Sequence, residues 1–139
     1  MSVAALGSSV EIRNADQLKH NAFSKQPNRF DLGKQLSNAS GIAQLPDAGV
    51  TKIQCRFHPK MMAQVLVLKN NCFASVKNGV ATIQGVPSGE NKIKLWSPHL
   101  KQELEVTTKT TTAVFSVAET DLARITPVIG CPVDAPSEY

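Results

Sequence analysis

The chain has 139 residues, with 15 Lys+Arg against 11 Asp+Glu for a formal charge of +4, 42% apolar residues and 19% charged residues. A chain of this length suits one domain, able to bury roughly 68% of its unfolded surface, and the composition excludes both a disordered chain and two large domains. The longest apolar runs, such as Val65-Leu66-Val67-Leu68, fall far short of the roughly 20 residues a membrane span needs, and no Lys/Arg block precedes an apolar segment as it would in an export leader.

Period-2 alternation and β-branched residues dominate the readable segments. The first predicted strand is Val10-Glu11-Ile12. A polar, irregular stretch from Gln26 to Leu45 then reads as a long loop, followed by the turn Pro46-Asp47-Ala48-Gly49 and a strand from Val50 to Cys55. A tight loop leads into a strand over Ala63 to Lys69. Beyond it, turn chemistry at Lys77-Asn78-Gly79, Val86-Pro87-Ser88-Gly89 and Ser97-Pro98 separates predicted strands at Val80 to Ile83, Lys92 to Trp96, Glu103 to Thr107 and Thr112 to Val117. A single helical turn fits Ala118 to Arg124. The Pro-containing tail from Thr126 has little to bury and is expected to be extended or partly disordered. Short strands joined by such turns predict an all-β, antiparallel sandwich or barrel.

The basic residues are scattered singly and aromatics are only 5%, so there is neither a basic stripe nor a stacking platform for nucleic acid. The mild positive balance instead biases encounters toward acidic protein partners. Three cysteines, Cys55, Cys72 and Cys131, are an odd count without paired spacing, which argues against a disulfide scaffold and leaves at least one thiol free. Cys72 and Cys131 lack metal-like neighbours and read as a packed thiol and a tail thiol. His99 reads as solvent-facing in its turn, and Trp96 as core packing.

Chemistry concentrates in Ile53-Gln54-Cys55-Arg56-Phe57-His58-Pro59-Lys60-Met61-Met62, where a strand delivers a cysteine and a tight loop delivers a histidine and methionines. A thiolate, an imidazole and a thioether in Cys-x2-His-x2-Met spacing form a soft set suited to copper, and the His2Cys pattern with a weak axial Met lacks one more histidine. His20 can supply it from a second loop. Zinc competes for Cys and His, but thioether is a poor zinc ligand and no second cysteine lies near Cys55. Alternation along the returning strand would send Met61 and Met62 to opposite faces, leaving the choice between them open.

From Gly7 to Leu68 the order of motifs resembles the cupredoxins, particularly the bacterial plastocyanin-like proteins with an amicyanin-like ligand loop. The matching features are a strand, Asn14-x-Asp16, His20-Asn21-x-Phe23-Ser24, Phe30-Asp31-Leu32-Gly33, and then Cys55-x-x-His58-Pro59-x-Met61. The resemblance implies a Greek-key β-sandwich with His20, Cys55 and His58 as equatorial ligands and Met61 as the axial ligand of one copper, cycling between Cu(I) and Cu(II). Asn21 would tie the two ligand loops together near the thiolate. His58, with Phe57 and Pro59 around it, would be the electron port.

Residues 71–76, 85–89 and 94–96 resemble a strand extension found in a subset of these proteins, although Cys72 stands where that extension usually has Tyr and Ser97 where it has His. The N-terminus is short for the family's edge strand, which is expected to be curtailed or built differently. The whole chain, 1–139, is expected to be one cupredoxin-like domain, with a copper-binding core at 7–68, additional strands at 69–118 and a tail at 126–139.

The function implied is that of a blue copper electron carrier rather than an enzyme, working in the periplasm with a redox protein partner such as a cytochrome or oxidoreductase. Lys19, Arg56 and Lys60 flank the ligand loops, either as a solvated rim or as a docking surface for an acidic partner. Two other readings stay open: copper delivery or storage with the same ligands, and a metal-free interaction module.

Overall fold

Side-chain alternation across pleated strands accounts for most of the architecture. In the computed structural model, which describes residues 2–76, 81–83, 86, 88–97, 104–109 and 128–130, all regular elements are strands. The chain divides into two compact units, Met1–Lys69 and Asn70–Glu138.

In the first unit, β1 (Ser2–Ala5), β3 (Ala22–Ser24), β4 (Phe30–Asp31), β6 (Gly49–Cys55) and β7 (Met62–Leu68) form a five-stranded sheet in the order β1-β7-β6-β3-β4. β6 buries Thr51 and Ile53 and exposes Lys52 and Gln54, so one of its faces turns inward. β7 buries Val65, Leu66 and Val67 in succession, the mark of a strand covered on both faces. A separate antiparallel pair, β2 (Ser9–Arg13) with β5 (Ser40–Gln44), sets Val10 opposite Ala43.

The core joins these layers. Ala22, Leu45, Ile53, Val65 and Val67 are buried together, with Val10 and Ile12 of β2 and Ala4, Phe30 and Leu32 packed against them. Each large side chain buried there contributes roughly 1.5–3 kcal/mol. This is a sandwich, and its crossed strand order is consistent with Greek-key connections.

The second unit has one antiparallel sheet, β10 (Leu104–Thr108), β9 (Asn91–Trp96), β11 (Val128–Gly130) and β8 (Phe73–Ser75), in that order.

Several expectations need correction. The N-terminal strand is present, and β1 runs parallel to β7 with Ser2 opposite Val65, so the sheet is mixed rather than wholly antiparallel. The stretch read as a loop from Gln26 to Leu45 contains β4 and β5. β5 hides from sequence inspection because its exposed residues include Ile42, at 65% exposure, while its buried one is the small Ala43. Part of the tail, Val128–Gly130, is a strand. Ala81 to Ile83 lie outside any strand.

Cys72 is disulfide-bonded rather than a packed thiol. Trp96 is only half-buried. The expectations for Val80, His99, Thr112 to Val117, Ala118 to Arg124 and Cys131 lie outside the described residues.

Candidate metal centre

Two segments of the five-stranded sheet meet at one end of the first unit. β6 ends at Cys55, and the chain turns through Arg56 to Met61 before β7 leaves, with the Met61 amide donating to the His58 carbonyl at 2.9 Å. That bond closes a tight turn around Pro59 and Lys60, which places His58 beside the strand end. β3 supplies the other side: Ala22 pairs with Cys55, and the Arg56 amide donates to the Asn21 carbonyl at 3.2 Å. His20, two residues before Ala22, is bridged to Gln35 by reciprocal backbone bonds of 2.9 and 2.7 Å.

These placements bring three donor atoms together. Cys55 Sγ lies 3.5 Å from His20 Nδ1 and 3.6 Å from His58 Nδ1, and the two Nδ1 atoms are 3.1 Å apart. A first-row metal with bonds of about 2.0–2.3 Å in a trigonal plane sets its donors about 3.5–3.8 Å apart, so a small expansion of this triangle accommodates one. His20, Cys55 and His58 thus form a group able to hold a metal ion, and two imidazoles with a thiolate are a set copper accepts.

Without a metal, the electrostatics favour the charged forms of Cys55 and His20. Partial burial raises the Cys55 thiol's pKa, but its hydrogen bonds with the Asn21 backbone, His20, His58 and the Phe57 backbone outweigh it and bring it down to about 6 from 9.0. His20 is shifted up, first by its hydrogen bond to Cys55 and then by Asp16.

Met61 and Met62 are 47% and 63% exposed, and both line a cleft of about 220 Å³ together with His20 and Cys55. The cleft does not choose between them. Phe57 is 42% exposed, and Lys19 Nζ sits 5.1 Å from the centre of its ring. Pro59 and Lys60 are exposed and His58 is half-buried.

Asn21 does lie between the ligand segments, although its side chain reaches neither ligand. Its Nδ2 donates to Asp31 Oδ1 at 2.7 Å, and Asp31 Oδ2 accepts from Arg56 Nε and Nη2 at 3.1 and 2.7 Å. The Arg56 guanidinium in turn lies over the Phe23 ring, 4.5 Å from its centre. Asp31 Oδ1 also accepts from the Gly33 amide, in a turn that needs Gly33 at φ +67°. Arg56 first, then Gly33 and Asn21, hold the Asp31 carboxyl at about 2.

Sequence reasoning did not assign roles to Asp16 and Asp31, although both stand in the motifs that carried the resemblance. Arg56, read as a rim charge, is paired. Asp16 lies against His20, with Oδ2 at 2.8 Å and Oδ1 at 3.0 Å from Nε2.

No protein-family model matches the sequence, and no curated protein matches it. Among solved structures, a purple cupredoxin from Nitrosopumilus maritimus aligns at 23% identity over 48% of this chain and 77% of its own, with a TM-score of 0.45. A reduced Cu(I) form of an amicyanin mutant aligns at 18% identity over 48% of this chain and 67% of its own, with a TM-score of 0.44. An oxidised amicyanin mutant aligns at 17% identity over the same shares, also at 0.44. The chain itself shows an all-β sandwich in which Cys55 and His58 from the β6–turn–β7 unit meet His20 from the segment before β3.

Proposed function

We propose that the chain is a mononuclear type 1 copper protein that carries one electron at a time between redox partners. In this reading His20, Cys55 and His58 are the equatorial ligands, Met61 is the axial one, and residues 7–68 form the copper-binding core. The observation that carries it is the convergence of Cys55 Sγ with two imidazole nitrogens at 3.5 and 3.6 Å. Bound there, copper would supply a Cu(I)/Cu(II) couple.

The protein's own residues do the rest. The His20–Gln35 bridge and the pairing of β3 with β6 fix His20 and Cys55 side by side, which limits rearrangement between oxidation states. His58 on the exposed turn is the electron port, with Phe57 and Pro59 as apolar contact around it. Lys19 and Lys60 give that rim a positive charge suited to an acidic redox partner such as a cytochrome or oxidoreductase. The disulfide at Cys72 favours an oxidising compartment, in keeping with a periplasmic location.

The test is the optical spectrum of the purified protein titrated with Cu(II) and then reduced with ascorbate. An intense visible thiolate-to-copper band, saturating at one copper per chain and bleaching reversibly, supports the carrier. Absence of the band in folded protein with Cys55 reduced refutes it. The cleft edged by the exposed Met61 and Met62 favours a second reading, copper delivery, which predicts rapid transfer of Cu(I) to an acceptor apoprotein.

A further inference from the structure

We propose that Asp16 is a positioning residue: its carboxylate holds the His20 ring by Nε2 so that Nδ1 faces Cys55 and His58, and it favours the oxidised state of copper bound there. The proposal rests on the copper reading above for its second half only.

A neutral imidazole carries one ring proton, and the nitrogen facing a carboxylate is the one that keeps it. Asp16 Oδ2 and Oδ1 lie 2.8 and 3.0 Å from His20 Nε2, so Nε2–H donates to the carboxylate and the lone pair is left on Nδ1. That is the nitrogen 3.5 Å from Cys55 Sγ and 3.1 Å from His58 Nδ1. Ring orientation and tautomer are thereby fixed in the form a metal ligand requires, as carboxylate partners of metal-bound histidines do generally.

Asp16 is itself held in place, which separates a positioning group from a chance surface contact. Its Oδ1 accepts from the Leu18 amide at 2.8 Å, and its own amide donates to Asn14 Oδ1 at 3.1 Å. Asn14 is 5% exposed, and its Nδ2 donates to the Leu18 carbonyl at 2.7 Å and the Gln35 carbonyl at 3.2 Å. Gln35 is the residue bridged to the His20 backbone. Two nested side-chain turns therefore fold residues 14–18 so that one carboxylate reaches Nε2, while the same framework grips the His20 main chain. This gives Asn14-x-Asp16 a purpose: Asn14 builds the turn and Asp16 uses it.

The carboxylate brings a negative charge one imidazole ring away from the donor triangle. It stabilises Cu(II) more than Cu(I), so removing it should weaken Cu(II) binding more than Cu(I) binding. Loss of such an outer partner costs roughly 10–100-fold in metal affinity. A tenfold loss confined to Cu(II) corresponds to a rise of about 59 mV in the one-electron potential.

Two measurements on the full chain test this. The first needs no metal: nitrogen-15 NMR of the copper-free protein at mildly alkaline pH, comparing the native chain with Asp16→Asn and Asp16→Ala. The native His20 should show the Nε2–H tautomer, and Asp16→Ala should show a mixture with Nδ1–H. An unchanged tautomer in a folded Asp16→Ala protein overturns the positioning role. Should Asp16→Ala not fold, the near-isosteric Asp16→Asn serves instead, its amide spectrum reporting the fold and a weakened Nε2–H bond the expected change.

The second compares Cu(II) and Cu(I) affinities, each measured with the free ion under competition. In Asp16→Asn the ratio should shift at least several-fold toward Cu(I). A native ratio in the variant overturns the electrostatic half. Failure of the native chain to take up copper refutes the copper reading and that half with it, while the NMR result still decides whether Asp16 orients His20.

Discussion

Acidifying the copper-free protein should protonate Cys55 far below the range of an ordinary thiol. With the pKa at about 6 rather than 9.0, thiolate exceeds thiol about tenfold at pH 7, whereas an unperturbed cysteine would be roughly 1% ionised. The assay is ultraviolet thiolate absorbance between about pH 5 and 9, with Cys55→Ser as the blank, alongside the rate of alkylation. The expected midpoint lies near 6, and replacing either His20 or His58 with Ala should raise it, because each ring sets its Nδ1 within hydrogen-bond distance of Sγ and lowers the thiol's pKa.

Stability follows the same titration. The folded pKa lies below the unfolded one, so this group's contribution is fully present above about pH 9 and is lost as pH falls through about 6. The slope within that window is at most about 1.4 kcal/mol per pH unit. His20, shifted up from 6.5, contributes in the opposite sense: its stabilisation is present below that value and is lost as pH rises through its folded pKa. A Cys55 midpoint at or above about pH 8 would refute the claim that hydrogen bonds outweigh burial at this sulfur.

Met61→Leu should retain copper and raise the reduction potential while Met62→Leu leaves it unchanged; cyclic voltammetry reads both, and the reverse pattern would make Met62 the axial ligand. Asn28 is fully buried and bonds Thr51 Oγ1 at 2.7 Å and both the carbonyl and the amide of Asp47 at 2.8 Å. Asn28→Ala should therefore cost about 1–3 kcal/mol in denaturant unfolding, by leaving those partners unsatisfied. Arg56→Ala removes the main cause of the low Asp31 pKa, so the Asp31 carboxyl, followed by NMR, should titrate nearer its ordinary 3.8 than 2. An unmoved Asp31 would mean that the Gly33 amide and Asn21 suffice.

Legibility in the sequence followed side-chain pattern. β6 and β7 were readable because Thr51 and Ile53 alternate with Lys52 and Gln54, and because the Val65 to Leu68 run is continuous. The cluster was readable because Cys55 and His58 sit three residues apart on one turn. β3 and β4 were not predicted as strands, since two or three residues give no period to detect. β5 was lost because Gly41 and Ala43 do its packing; a Cβ at Gly41 would lie 3.0 Å from Leu32 Cδ1. The disulfide at Cys72 escaped because cysteine count and spacing carry no connectivity. The partnership of Asp16 with His20 was hidden for a similar reason: an i,i+4 spacing outside a helix has no geometric meaning until the Asn14 turn folds it.

The anchoring of His20 bears on how quickly an ion enters or leaves. On one side its backbone is bridged to Gln35, and on the other Ala22 is laddered to Cys55, so these two donors form a fixed jaw that only local unfolding of the sheet would part. Within the turn, His58 and Met61 are joined to each other by a single backbone bond, at an exposed edge. Exchange should therefore proceed from the turn side, its rate set by how often residues 56–61 open and not by the stability of the sandwich behind them.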